Sequence, residues 1–273
     1  MTDKYAVIGH PISHSKSPEI HKMFAEQTGQ DISYEAIQVP TEHDEFAAAI
    51  MRLRKEYKGC NVTVPFKQRI PQLGIPGITL IPSEDVMYAK AANTLKFFDR
   101  EIQIDNTDGI GLVRDLSQNL REELKGKRLL LIGAGGAASG VLWPLRQTGA
   151  IITITNRTVE KAIILAERFS ISSCEYERLI EKEFDIIINA TSAGLTDSTI
   201  PLPDSIFAPN ALAYDMMYGR ETRFMAFARA HGARVADGLG MLVEQAAEAF
   251  KIWRGQDLQL DTAAVIRALR QTV

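Results

Sequence analysis

The chain has 273 residues, with 31 Lys and Arg against 34 Asp and Glu and a formal net charge of −3. That length exceeds the usual single-domain size, so two modest domains, each with its own core, are expected. The balance is slightly acidic with no basic run, which argues against a nucleic-acid partner, and no stretch approaches the roughly 18 uncharged apolar residues that a membrane span needs.

In chain order, the first apolar run, Tyr5 to Gly9, is too short for a signal sequence and reads as a strand. A helix from Pro18, a strand over Ser33 to Val39, a helix through Phe46 to Tyr57 and a strand over Gly59 to Val64 follow. This alternation predicts parallel pairing in an α/β layer. The Pro- and Gly-rich stretch from Ile70 to Pro82 reads as a surface loop. Beyond Asp108 the rhythm restarts with strands at Arg128 to Gly133, Ile151 to Asn156, Phe184 to Thr191, Ala211 to Met216 and Ala233 to Asp237. Helices are expected from Ala137, over Val159 to Phe169 and over Phe224 to Ala230. Runs so rich in Ile, Leu and Val suit a sheet covered on both faces. From Gly240 the pattern is helical, with Asp261 placed to cap a last helix through Ala268. The expected fold is α/β with two domains. A substrate domain of residues 1–106 plus 240–273 is completed by C-terminal helices packing back on it, and a Rossmann-type doubly wound nucleotide domain of residues 107–239 is inserted.

Cys60 and Cys174, the two cysteines, lack metal-ligand spacing and any CxxC pattern, so a reduced, cytoplasmic chain is expected. Gly133-Ala134-Gly135-Gly136-Ala137-Ala138 follows a strand and opens a helix, the setting in which small residues let backbone N–H groups approach a pyrophosphate. In NAD sites an acid about 20 residues further on binds the ribose 2'-hydroxyl. Here the next strand ends in Asn156-Arg157-Thr158, with Lys161 one turn beyond. Arg157 can pair with a 2'-phosphate and Thr158 can donate to it, which selects NADP over NAD. The competing reading leaves Arg157 a solvated loop residue.

Ser13, Ser15 and Ser17 alternate before Pro18, so in an extended loop their hydroxyls share a side, with Ser17 as helix N-cap and Pro18 at N1. Hydroxyls converging on a helix N-terminus suit a carboxylate. Asn61, Thr63 and Lys67 end a strand and enter a turn, from which they can reach a shared cleft. Asn93-Thr94 and Asn106-Thr107-Asp108-Gly109 add amides, hydroxyls and one carboxylate at loop positions. Taken singly, Lys67 also reads as a solvated lysine, Ser17 as a simple cap and Asp108 as a turn residue. No zinc-ligand cluster appears, so a lysine and not a metal is the candidate electrophile.

The motifs SHSKSP, NVTVPFK, AANT, NTDG, GAGGAA, NRT, NATSAG, YDMMY and DGLGMLVEQAA, spread from Ser13 to Ala247, resemble in order those of the shikimate dehydrogenase family. The resemblance implies a cytoplasmic enzyme of chorismate and aromatic amino-acid biosynthesis that reduces 3-dehydroshikimate to shikimate reversibly with NADPH. It implies a cleft where both ligands meet. By position it gives Ser15 and Ser17 the substrate carboxylate, and gives Thr63, Asn93, Asp108 and Gln245 its hydroxyls. Lys67 becomes the acid/base with Asp108 as partner, and Tyr218 is similar to the substrate-side tyrosine. Gly133, Ala134, Gly135, Gly136, Ala137, Asn156, Arg157, Thr158, Lys161, Met216 and Gly238 fall on the cofactor. One departure is Lys90, where the family commonly has glycine; in a left-handed turn it costs roughly 1 kcal/mol and makes the placement of Asn93 less secure. A monomer or homodimer acting on small molecules is expected, without metal, nucleic acid or membrane. The alternatives are a quinate/shikimate dehydrogenase or related paralogue and, from another class, a catalytically retired NADP-binding sensor.

Overall fold

The computed structural model of the chain describes residues 2–191, 193 and 198–271. The chain divides into two compact units, one running to Gly111 and resuming at Val243, the other Leu112–Leu242. Of the motif at 189–194, Ser192 and Gly194 lie outside the described residues.

The first unit is built on β1 (Asp3–Gly9), α1 (Ser17–Thr28), β2 (Ile32–Gln38), α2 (His43–Glu56), β3 (Gly59–Val62), β4 (Thr79–Pro82), α3 (Glu84–Ala89), β5 (Thr94–Phe97) and β6 (Glu101–Asp105), after which α4 (Asp108–Arg114) runs on into the second unit. Its sheet runs β2-β1-β3-β5-β6-β4. The expectation of parallel pairing holds for β1 with β2 and β3 and for β4 with β6, and is corrected at β5, which is antiparallel to both β3 and β6. For β5 and β6 the reason is the short turn at Asp99 and Arg100 that joins them; a parallel pair would need a long crossover.

The stretch from Ile70 to Pro82 is likewise not a plain surface loop. Ile70, Leu73 and Ile75 are buried in the core with Phe46 and Phe66, whose rings stack at 4.4 Å. β4 pairs with β6 as the outer strand, a position that tolerates Pro82.

The C-terminal segment belongs largely to the same unit. α8 (Leu239–Arg254) continues from the second unit into the first, and α9 (Thr262–Gln271) follows. Trp253 Nε1 donates to the carbonyl of Leu95 at 2.9 Å while its ring stacks on Tyr5, and Arg254 pairs with Asp3. Asp261 caps α9, accepting from Ala264 N at 2.8 Å.

The second unit carries β7 (Arg128–Ile132), α5 (Gly136–Gln147), β8 (Ile151–Thr155), α6 (Val159–Phe169), β9 (Ser172–Ser173), β10 (Phe184–Asn189), β11 (Phe207–Asp215), α7 (Arg223–Ala230) and β12 (Arg234–Asp237). Its sheet runs β12-β11-β10-β7-β8-β9, every pair parallel. Leu129, Leu130, Leu131 and Ile132 are all inaccessible, as a strand covered on both faces requires. The strand order reverses direction beside β7, so the ends of β7 and β10 form the topological switch point of a doubly wound sheet. Among the described residues no helix is long and apolar enough to cross a membrane.

Candidate functional site

Sheet register explains why distant residues meet in the first unit. β1 and β3 are parallel, so the serine loop after Gly9 and the turn carrying Lys67 leave the sheet at one edge. β5 starts at that edge, with Thr94 opposite Asn61, and β6 ends there, with Asp105 opposite Thr94. Asn93, just before β5, and Asp108, just after β6, therefore lie together.

Lys67 Nζ reaches both oxygens of the Asp108 carboxylate, at 2.9 and 2.7 Å. Asp108 is buried, its side chain only 3% exposed, whereas Lys67 keeps 24% of its own. Asn93 Nδ2 donates to Asp108 Oδ1 at 2.8 Å, to Thr107 Oγ1 at 3.0 Å and lies 3.1 Å from Gln245 Oε1. Its Oδ1 accepts from the backbone N–H of Thr107 at 2.9 Å and from Thr94 Oγ1 at 3.0 Å. Asp108 is thus held by a cation on one side and an amide on the other, and the half-exposed ammonium remains free to meet a ligand. Such an ammonium can stabilise a developing oxyanion and deliver a proton to it.

Four residues read from sequence, Lys67, Asn93, Asp108 and Gln245, are brought into one network. Lys90 does adopt the left-handed conformation, φ 55°, as the C-cap of α3. Asn93 nevertheless sits in place, because Ala92 N donates to Lys67 O and Asn93 N to Asp105 O, both at 2.9 Å. Asn106 plays a scaffold part instead of facing a ligand: its Nδ2 donates to Ala91 O and its Oδ1 accepts from Asp108 N.

The serine loop needs one correction. Ser17 is not the N-cap: Lys16 occupies that position in a helical conformation, and α1 begins at Ser17. Ser15 Oγ accepts from Ser17 N at 3.3 Å, which turns the chain into the helix without a side-chain cap and leaves the Ser17 hydroxyl unused by the helix. Ser15, Ser17 and Thr63 are all half-buried. Thr63 is fixed by its N–H to Ile8 O and by contact distance to Gly9, where an added Cβ would lie 2.5 Å from Thr63 Cγ2.

In the second unit, Gly133 follows β7 with φ +111°, and a Cβ there would lie 3.1 Å from the carbonyl oxygen of Ala190 after β10. Only glycine suits that turn, and it brings the start of α5 to the switch point. Asn156 Oδ1 accepts from Ala134 N at 3.2 Å and its Nδ2 donates to Thr158 O at 2.8 Å, so the glycine loop is tied to the end of β8. Gly135 and Ala137 are exposed and Ala134 and Gly136 half-buried. Arg157, Thr158 and Lys161 are exposed after β8, with no carboxylate directly after Thr155.

Sequence reasoning passed over Asp215, a fully buried carboxylate that accepts from Asn189 Nδ2 at 3.0 Å, Thr222 Oγ1 at 2.6 Å and Met217 N at 2.9 Å. It pins the turn bearing Met216 and Tyr218. Gly238 packs so closely there that a Cβ would lie 2.3 Å from Met216 O. Tyr218 is half-buried, and burial raises its phenol pKa.

Comparison with known proteins follows this division. Residues 7–95 match the shikimate dehydrogenase substrate binding domain, 115–196 the shikimate / quinate 5-dehydrogenase family, and 238–270 the shikimate 5'-dehydrogenase C-terminal domain. A shikimate dehydrogenase (NADP(+)) of Methylobacillus flagellatus is 54% identical, covering 98% of this chain and 99% of that protein. The crystal structure of an Ael1 enzyme from Pseudomonas putida is 45% identical with a TM-score of 0.90, covering 98% of each chain. Shikimate 5-dehydrogenase of Thermus thermophilus, solved with NADP(H) and shikimate, is 32% identical with a TM-score of 0.88, covering 100% of each chain.

Proposed function

This chain belongs to the shikimate dehydrogenase family, and on that premise we propose that it reduces 3-dehydroshikimate reversibly to shikimate with NADPH, Lys67 and Asp108 moving the proton. The observation that carries the reading is the two-pronged contact of Lys67 Nζ on the buried carboxylate of Asp108 inside the Asn93 network.

Lys67 donates its proton to the ketone oxygen during reduction and takes it back from the alcohol in reverse. Asp108 holds the ammonium in place, and with Thr63, Asn93 and Gln245 it binds the ring hydroxyls. Ser15 and Ser17 hold the carboxylate, Tyr218 serves as a substrate-binding tyrosine, and residues 1–106 with 240–273 act as the substrate domain. The nucleotide, when bound, supplies or accepts the hydride.

The second unit suits NADP on its own terms. A left-handed Gly133 and a free helix N-terminus over Gly135, Gly136 and Ala137 are open to a pyrophosphate. Asn156, Arg157, Thr158 and Lys161 offer donors to a 2'-phosphate, and Met216 and Gly238 flank the nicotinamide side. The reading makes residues 107–239 the nucleotide domain of a cytoplasmic monomer or homodimer in chorismate and aromatic amino-acid biosynthesis.

The test is NADPH oxidation with 3-dehydroshikimate, beside NADP and NAD reduction with shikimate and with quinate. Turnover confined to shikimate with NADP is the expected result. Quinate turnover at a comparable kcat/KM would move the chain to the broader quinate/shikimate class, and no turnover would leave an NADP-binding sensor.

A further inference from the structure

The outer strand β2 lies two strands away from β3, which leads into the turn carrying Lys67, yet one of its side chains reaches the network. Tyr34 is in register with Tyr5 of β1, and its hydroxyl crosses to β3 to donate to Asn61 Oδ1 at 2.7 Å.

That bond anchors the Asn61 amide by its oxygen, in the one orientation its remaining partners accept. Its Nδ2 is directed at Asn93 O, 3.1 Å away, and Thr94 Oγ1, 3.0 Å away. Rotating the amide by half a turn would set its oxygen against the carbonyl of Asn93, acceptor facing acceptor, and its NH2 against a phenol that has a proton to give. From Asn61 the path continues without a gap. Thr94 Oγ1 donates to Asn93 Oδ1 at 3.0 Å, Asn93 Nδ2 to Asp108 Oδ1 at 2.8 Å, and Asp108 holds Lys67.

The phenol ring is itself fixed. The imidazole of His21 stacks on it at 4.1 Å with 9° between planes, and His21 is packed in turn against Phe24, Phe250 and Trp253. The position of the Tyr34 oxygen is therefore set by a rigid aromatic stack, not by a mobile side chain.

We propose that Tyr34 is a positioning residue for the substrate: it orients Asn61, and through Asn61 it sets the geometry that Asn93 and Asp108 present to the ring hydroxyls. It acts without touching the substrate. The inference rests on the shikimate reading of the site given above.

Tyr34→Phe keeps the ring and its stack and removes one oxygen, so steady-state kinetics with shikimate and NADP test it. The KM for shikimate should rise about five- to tenfold, with kcat and the KM for NADP within about twofold of wild type. A role confined to packing would lower the unfolding midpoint and leave the KM for shikimate unchanged, which would overturn the proposal. Tyr34→Phe should also add less than about twofold when Asn61 is already Ala, because the route through Asn61 is then gone. A full increase persisting in that background would equally overturn it. Absence of wild-type turnover would remove the reading of the site and this inference with it. Normal wild-type turnover with an unchanged Tyr34→Phe KM would remove the role of Tyr34 alone.

Discussion

His21→Phe should flatten the acid side of the stability profile. His21 is fully buried, and neither ring nitrogen has a hydrogen-bond partner among the described residues. Burial pushes its pKa down to about 3, with the neighbouring Asn61 amide opposing. An unfolded imidazole titrates near 6.5. Between those values the unfolded chain holds a proton that the folded chain refuses, so stability rises with pH across the window. Its contribution is complete above about 6.5 and is lost as the pH falls toward about 3. Moving from about pH 7.5 to about pH 5 crosses some 1.5 units of the window, or about 2 kcal/mol at 1.36 kcal/mol per unit. Urea denaturation at both pH values measures this. Wild type should lose about 2 kcal/mol more than His21→Phe between them, and the fixed penalty of fitting a phenyl ring cancels because each protein is compared with itself. Equal losses would refute the neutral, sealed imidazole that holds Tyr34.

Two further outcomes follow from the second unit. Arg157→Ala should raise the Kd for NADP at least about tenfold and leave that for NAD nearly unchanged, since only NADP has a 2'-phosphate; matched effects in binding titrations would return Arg157 to a solvated loop. Gly238→Ala should destabilise by about 1–3 kcal/mol, because a Cβ 2.3 Å from the rigid backbone oxygen of Met216 forces the turn to shift; an unchanged urea midpoint would contradict that close approach.

What the sequence made legible was the part written in local pattern. Leu129 to Ile132 is an unbroken apolar run because that strand is covered on both faces, and Gly133 stands where only glycine suits the turn. Lys67 and Asp108 were legible as candidates because each stands in a polar motif at the end of a strand, although nothing in their spacing says that they touch. The antiparallel β5 and β6 were missed because they are short and their pairing depends on a turn without a strong glycine signal. The core role of Ile70, Leu73 and Ile75 was hidden by the prolines among them. Ser17 looked like a cap because Ser before Pro commonly is one, yet the helix starts one residue earlier than that reading requires. Contacts across strands carry no sequence period at all: Tyr34 with Asn61, Asn93 with Gln245 and Asp215 with Thr222 appear only once register and helix packing are fixed.

The most direct test of the account is the single-turnover rate of Lys67→Met with shikimate and NADP, alongside binding of each ligand by calorimetry. The buried carboxylate of Asp108 keeps its bond from Asn93 Nδ2 in this variant, so the network should survive the loss of the ammonium. Ligand affinities should stay within a few-fold of wild type while the rate falls at least about a hundredfold, the scale of general acid/base assistance. A near-normal single-turnover rate would take Lys67 out of the chemistry and contradict the central claim.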